Sequence, residues 1–303
     1  MGPDVWIPPE ATAEQRAMLP EGISVHEVPA DGDASALGRG EFLIADFHFD
    51  RVVRAMQTLR GLRVVQSMSA GVDSLLPLVP AGVTLCDAGG VHDISVSEWT
   101  VMAILAHCRN LPPLLDAQRR ARWERTGGDD LEGKSVLILG YGSIGRALES
   151  RLLPFGVEII RVANHAREGV HTRAELPGLL PKADVVVVLL PLTEQTRGLV
   201  DERFVDAMRP GALLVNPARG AIVNTDALLA ALQAGRIRAA LDVTDPEPLP
   251  DGHPLWTAPG ALITPHIAGA VARAFERAWK LAGEQVRRYA AGEPLRNVVV
   301  DGY

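Results

Sequence analysis

The sequence predicts an α/β protein built from two parallel-sheet domains, and three observations carry that prediction. The first is length: 303 residues exceed one ordinary core and suit two domains of roughly 150 residues each. The second is alternation: short apolar runs give way repeatedly to turn-and-helix patterns, as βαβ units require. The third is a restart, because after a proline-broken helical stretch the same alternation begins afresh at Lys134.

The elements follow in order. Asp4–Ile7, Phe42–Ala45, Arg63–Gln66 and Val83–Leu85 are short apolar runs that read as strands, with helix-like stretches at Thr12–Met18 and Phe49–Leu59. A long apolar-rich helix is expected from about Ser95 to Cys108. Asn110-Leu111-Pro112-Pro113 breaks it, and a basic helix is expected from Leu114 to about Arg122. In the second half, Lys134–Leu139 reads as a strand entering a glycine turn and a helix from Ser143 to about Leu153. Further strands are expected at Val157–Val162, Asp184–Leu189, Ala212–Asn216, Ala239–Val243 and Ala261–Ile263. Val185–Leu190 is an unbroken apolar run, the mark of a central strand covered on both faces. Thr225–Ala234 reads as a helix ended by Gly235, and an amphipathic helix is expected from Gly269 to Ala291. Asn297–Val300 reads as a last strand. The final helix has no partner in the second half, so it is expected to return to the first domain. That gives a domain of 1–99 plus 269–303, with a domain of 100–268 inserted into it.

Charge and composition exclude whole classes. Lys and Arg number 30 against 37 Asp and Glu, a formal charge of -7, which rules out a global basic field for nucleic acid. The longest apolar run, Ala183 to Leu192, is interrupted by Asp184 and Pro191, far from the roughly 20 residues of a membrane span. The N-terminus shows no signal-peptide pattern. Cys86 and Cys108 form no CxxC and no Cys/His metal spacing, so they read as reduced, buried thiols of a cytoplasmic protein, and no metal site is expected.

Gly140-Tyr141-Gly142-Ser143-Ile144-Gly145 fits G-x-G-x-x-G, between an expected strand and an expected helix. Gly140 allows the tight turn, Gly142 lets backbone approach a pyrophosphate, and Gly145 lets helix and strand pack closely; the helix N-terminus favours the anion. The turn reads as dinucleotide-binding. The ribose-binding acid expected at the end of the next strand is missing: the chain there runs Ala163-Asn164-His165-Ala166-Arg167, with no carboxylate before Glu168. Without a carboxylate to repel a 2′-phosphate, and with His165 and Arg167 nearby, NADP is favoured over NAD.

Three further blocks each follow an expected strand: Val215-Asn216-Pro217-Ala218-Arg219-Gly220, Leu241-Asp242-Val243-Thr244-Asp245-Pro246-Glu247-Pro248, and Thr264-Pro265-His266-Ile267-Ala268-Gly269. Open α/β sheets bind their ligands at strand C-termini, so an Arg, a Glu and a His would gather at one edge. With Pro191-Leu192-Thr193, Thr196-Arg197-Gly198, the upstream Ser69-Ala70-Gly71-Val72-Asp73 and Ser97-Glu98, the chain resembles the D-isomer-specific 2-hydroxyacid dehydrogenase family over nearly its whole length. The resemblance implies two Rossmann-like or flavodoxin-like domains, the cofactor domain inserted into a discontinuous substrate domain.

It also implies roles. Arg219 would hold the substrate carboxylate and carbonyl. His266 would exchange a proton with the substrate oxygen, and Glu247 would orient its ring. Asp245 is a competing carboxylate, but Glu247 stands directly before Pro248 as the family's Glu does. Backbone N–H groups in the Ser69, Ala70, Gly71 and Val72 stretch would bind the carboxylate from the opposite domain. Asp242 would accept from the nicotinamide amide. Leu190, Pro191 and Thr196, with Pro217, Ala218 and Ala268, would line the cofactor beside Gly140, Gly142, Ser143, Ile144, Gly145, Asn164, His165 and Arg167. The substrate would be a small 2-keto or 2-hydroxy acid and the assembly a homodimer through 95–122. His48 and His92 are further cleft candidates, whereas His26, His107, His171 and His253 read as surface or packing residues. Trp99 reads as core, Trp123 as packing or a dimer contact, and Arg119, Arg120, Arg122 and Arg125 as a solvated face.

Two departures concern cofactor affinity: Ala163-Asn164 in place of an acidic strand end, and Pro217 where Ala or Ser is frequent. Alternatives within the resemblance are dehydrogenases of other small oxyanions, phosphite or formate, and a nucleotide-sensing corepressor. Formate offers no carbonyl to protonate and formate-using relatives carry Gln near the His position, so the Glu247/His266 pair argues against that branch.

Overall fold

The structure, a computed structural model, describes residues 2–31 and 37–300. The chain divides into two compact units, Met1–His92 with Val271–Tyr303, and Asp93–Ala270. Each is built on a parallel sheet.

The first unit holds β1 (Asp4–Ile7), α1 (Ala13–Arg16), β2 (Ser24–Glu27), β3 (Phe42–Ala45), α2 (Phe49–Thr58), β4 (Val64–Ser67) and β5 (Thr84–Cys86), in the sheet order β2-β1-β3-β4-β5. One face packs on α2 through Val52, Ala55 and Met56. The other packs on the C-terminal helix through Ala274, Ala278, Trp279, Ala282 and Val286, so that helix returns to the first sheet. Apolar residues recurring at helical spacing explain this seat.

The second unit holds α3 (Asp93–Cys108), α4 (Leu111–Arg119), β6 (Ser135–Leu139), α5 (Ser143–Leu152), β7 (Glu158–Ala163), β8 (His171–Thr172), α6 (Leu176–Leu179), β9 (Val185–Val188), α7 (Glu202–Ala207), β10 (Leu213–Asn216), α8 (Thr225–Gln233), β11 (Arg238–Leu241) and β12 (Ala261–Ile263). The C-terminal helix of the first unit, α9, spans Ala272–Ala290. The second sheet runs β12-β11-β10-β9-β6-β7-β8, every pair parallel. Its strand order reverses between β6 and β9, the crevice where a doubly wound sheet receives a dinucleotide. Val186 and Val188 enter the core on one face of the sheet and Val185 and Val187 the core on the other. That two-sided burial is what the unbroken valine run predicts.

Some elements differ from expectation. Asn297–Val300 forms no strand: Val298 makes a single antiparallel bridge with Cys86, and Asn297 turns the chain at φ 53°. β2 was invisible because its Ser-Val-His-Glu sequence lies at the sheet edge and is largely exposed. α4 starts at Leu111, three residues earlier than expected, because Pro112 and Pro113 occupy a first turn, where a missing N–H costs nothing. The break itself falls at Asn110, left-handed at φ 49°. Trp123 is 96% exposed, so packing within its own chain is not its role, whereas Trp99 is buried.

Candidate active site

The glycine turn is held by its neighbours. The N–H groups of Gly140 and Tyr141 both donate to Val162 O, and Leu189 N donates to Leu139 O at 2.7 Å. Gly140 has φ 107°, and a Cβ there would lie 2.5 Å from the Leu189 carbonyl carbon, so the turn interlocks with the chain leaving β9. A Cβ on Gly145 would meet Gly140 O at 3.0 Å and Ile138 Cγ2 at 3.2 Å, the close helix–strand approach that the third glycine permits. At Gly142 a Cβ would meet nothing within 4 Å. Gly142 is also the N-cap of α5 and supplies no side-chain cap. An open cradle at an uncapped helix N-terminus suits a pyrophosphate.

Tyr141 and the residues after β7 flank the glycine turn. Arg167 donates to Tyr141 O at 2.7 Å, and its guanidinium lies 5.7 Å from the Tyr141 ring centroid. Arg161 flanks the same ring but is spent on Glu149, which it grips through Nε at 2.9 Å and through a second, shorter contact. Arg161 therefore holds the Glu149 carboxyl below the usual carboxylate range. Asn164, His165 and Arg167 are exposed. On the β9 side, Thr196 Oγ1 donates to Pro191 O at 2.7 Å and accepts from Thr193 N at 2.8 Å, folding the chain after Leu190 back on itself.

Arg219, Glu247 and His266 leave the C-terminal ends of β10, β11 and β12, three adjacent strands. His266 Nδ1 and Glu247 Oε1 are 2.6 Å apart. Glu247, not Asp245, is the carboxylate hydrogen-bonded to the ring. His266 sits at φ 53°, a left-handed backbone that a histidine adopts only when its surroundings impose it. Asp242 imposes it: its O accepts from His266 N at 2.7 Å, its Oδ1 from Ile267 N at 2.9 Å, and its Oδ2 from Ala268 N at 2.8 Å. Thr264 Oγ1 adds a further bond to Asp242 Oδ1 at 2.5 Å. This buried carboxylate thus organises the turn that presents the histidine.

Arg219 is half-buried, with one guanidinium nitrogen donating to Ala218 O at 2.8 Å. Asn216 frames its backbone, donating to Arg219 O at 2.9 Å and accepting from Ala218 N at 3.1 Å across Pro217. Asn216 is buried, and sequence reasoning gave it no role although it lies within the block. Gly220 was missed as well. A Cβ there would stand 1.9 Å from Thr244 O, so the loop carrying Arg219 lies directly on the loop leading to Glu247.

In the first unit, Met68 N donates to Ala45 O, which places the Ser69–Val72 stretch beside the 46–49 turn. Ser69 Oγ accepts from Gly71 N at 3.2 Å, and Val72 is buried. His48 is exposed and lies 3.1 Å from Asp46 through Nδ1; Arg51, itself buried, bonds both Asp46 and Glu10. Glu10, Asp46 and His48 come close enough to hold a cation, but the Arg51 guanidinium already occupies their centre. His92 Nε2 is 3.1 Å from Met68 O. Cys86 and Cys108 are free, buried thiols, and burial pushes Cys86 up to about 11.

Comparison with known proteins adds an independent line. Residues 101–268 match the family described as D-isomer specific 2-hydroxyacid dehydrogenase, NAD binding domain. The glyoxylate reductase/hydroxypyruvate reductase of Homo sapiens is 35% identical over 248 residues, 77% of this chain and 76% of that protein. A chloroplastic/mitochondrial formate dehydrogenase of Arabidopsis thaliana is 34% identical over 77% of this chain, which spans 65% of that protein. The NADPH-dependent glyoxylate/hydroxypyruvate reductase of Sinorhizobium meliloti, solved with NADP and sulfate, superposes with a TM-score of 0.86 at 26% identity, covering 99% of this chain and 98% of that one.

Proposed function

Because the chain belongs to the D-isomer specific 2-hydroxyacid dehydrogenases, NAD(P)-dependent oxidoreductases, we propose that it reduces a small 2-keto acid to the 2-hydroxy acid with Arg219, Glu247 and His266 as its working residues. The observation that carries this reading is the 2.6 Å contact between His266 Nδ1 and Glu247. With Nδ1–H donating to the carboxylate, the ring is held in one orientation and the protonated ring offers Nε2–H to a substrate oxygen. On reduction that oxygen takes the proton from Nε2; on oxidation the neutral ring takes it back. Arg219, permanently charged and forked, suits the substrate carboxylate and the polarised carbonyl. The N–H groups of Ser69–Val72 are proposed to bind a substrate carboxylate.

The dinucleotide fits the Gly140–Gly145 turn, open above Gly142 and uncapped at α5. When bound it supplies the hydride, while the protein supplies position. NADP is the proposed partner: Arg167 is fixed beside the turn by Tyr141 O, and no carboxylate follows β7 before Glu168. The Sinorhizobium meliloti reductase at TM-score 0.86 is a NADPH enzyme, in line with this preference. A homodimer through 95–122 is proposed because Met102, Leu111 and Leu115 expose large apolar side chains along that segment and Trp123 does so directly after it. No described helix is long and apolar enough to cross a membrane. The free, buried thiols Cys86 and Cys108 accord with the reducing, cytoplasmic setting proposed here.

The test is nucleotide absorbance at 340 nm with a panel of 2-keto acids, run with NADH and NADPH, and with formate and phosphite as oxidisable alternatives. Keto-acid turnover with an NADPH preference is expected, and His266→Asn should lower kcat by about 10²–10⁴-fold while sparing nucleotide binding. Turnover confined to formate or phosphite, nucleotide binding without turnover, or an unimpaired His266→Asn would each refute the assignment.

A further inference from the structure

We propose that Asp93 is a resident anion at the pyrophosphate turn, and that its charge sets how tightly the dinucleotide is held. The inference rests on the reading of Gly140–Gly145 as that turn. Asp93 is the first residue of α3 and Ser143 the first of α5. The two helices share one core, Val96, Trp99 and Ala103 from α3 meeting Leu148 and Leu152 from α5. Their N-termini converge, and Ser143 Oγ donates to Asp93 Oδ1 at 3.0 Å.

Two consequences follow from this bond. The Ser143 hydroxyl proton is directed to Asp93 rather than to an anion lying on the turn. The carboxylate also places a negative charge against the first turn of α5, where the helix field would otherwise attract phosphate undiluted. The other carboxylate at this turn, Glu149 on the Tyr141 hydroxyl, is neutralised by Arg161. Asp93 makes no salt bridge with a Lys or Arg among the described residues, so its charge is balanced by the Ser143 hydroxyl and the helix N-termini and not by a cation. Asp93 therefore opposes a pyrophosphate bound at the turn. Repulsion between the Asp93 carboxylate and the pyrophosphate charges, screened nearly as in water, corresponds to about tenfold in affinity.

The opposition acts on the pyrophosphate, common to NAD(H) and NADP(H), and not on the 2′-phosphate near Arg167. It therefore weakens both nucleotides alike and speeds their exchange between turnovers. Asp93 acts on affinity and not on the reacting atoms.

The test uses the full chain, with NADH and NADPH titrated by nucleotide fluorescence. Asp93→Asn keeps an acceptor for Ser143 and removes the charge; Asp93→Ser is a second neutral residue suited to a helix start. Both variants should bind both nucleotides about tenfold more tightly at low salt, with the NADPH:NADH affinity ratio unchanged. The gain should shrink toward unity near 1 M salt, where surface charges are screened. Unchanged or weaker binding by variants that melt like the wild type would overturn the proposal, as would a gain indifferent to salt. A wild-type protein that binds neither nucleotide would overturn the reading of the turn itself.

Discussion

Replacing Gly220 by Ala tests whether the loops of Arg219 and Glu247 are positioned by direct backbone contact. A methyl at this position would lie 1.9 Å from Thr244 O, 2.1 Å from Thr244 C and 2.8 Å from Asp245 N. Ordinary carbon–oxygen contact lies near 3.4 Å, so one loop must retreat by about 1.5 Å, and no flexible side chain is available to yield. Overpacking of this kind costs about 3 kcal/mol. For a domain of this size that is a fall of roughly 6–12 °C in Tm. Activity should suffer separately. Thr244 leads through Asp245 to Glu247, which holds His266, so displacement moves the proposed proton donor relative to Arg219. A misplacement near 1 Å costs about 10²-fold in kcat/KM. The assays are thermal unfolding by circular dichroism and steady-state kinetics with NADPH and the best keto acid of the panel. A Gly220→Ala protein with wild-type Tm and kcat/KM would refute the reasoning, because it would mean the two loops do not bear on each other.

Gly142→Ala should behave oppositely: its Cβ meets nothing within 4 Å, so Tm should hold, while NADPH binding by fluorescence weakens by tenfold or more because the methyl fills the cradle. Glu149→Gln should destabilise the protein at pH 7 by about 2 kcal/mol, since the largely buried carboxylate loses its charge-assisted bonds to Arg161. The folded carboxyl is held below its unfolded value near 4.3. Its contribution is therefore complete above that value and fades as pH falls through the lower, folded one. Denaturant midpoints should thus differ at pH 7 and draw together as the pH falls below the unfolded value; a gap that stays constant on acidification would contradict the assignment.

What could be read from the chain was whatever is local and repetitive. The valine run of β9, the glycine turn and the strand-then-motif rhythm of the Arg219, Glu247 and His266 blocks are each specified within about ten residues. The sheet then brings them together, because parallel strands put all their C-termini at one edge. Edge structure was not legible: β2 is held by pairing with β1 rather than by its own apolar pattern, and Val298 lacks the partners that would make a strand. Close approaches were not legible either. That Gly220 must be glycine depends on Thr244, and that Ser143 is tied depends on Asp93, 50 residues earlier. Such contacts are set by how loops and helices stack, which no single-segment pattern encodes. Asp242 was marked from resemblance for a contact with the cofactor, whereas its visible work is structural, holding the turn of Thr264, Ile267 and Ala268.

The left-handed backbone at His266 has a further consequence. A glycine would rest there without strain, whereas a histidine costs about 1 kcal/mol or more. The fold is thus less stable at this point for having a histidine, the proposed proton donor, there. The surplus that tolerates this histidine resides in the Asp242 bonds, which would fix the turn whatever side chain it carried. Stability and reactivity are therefore set by different residues a few ångströms apart. With His266 as the proposed proton donor, improving the first by relaxing position 266 should abolish the second.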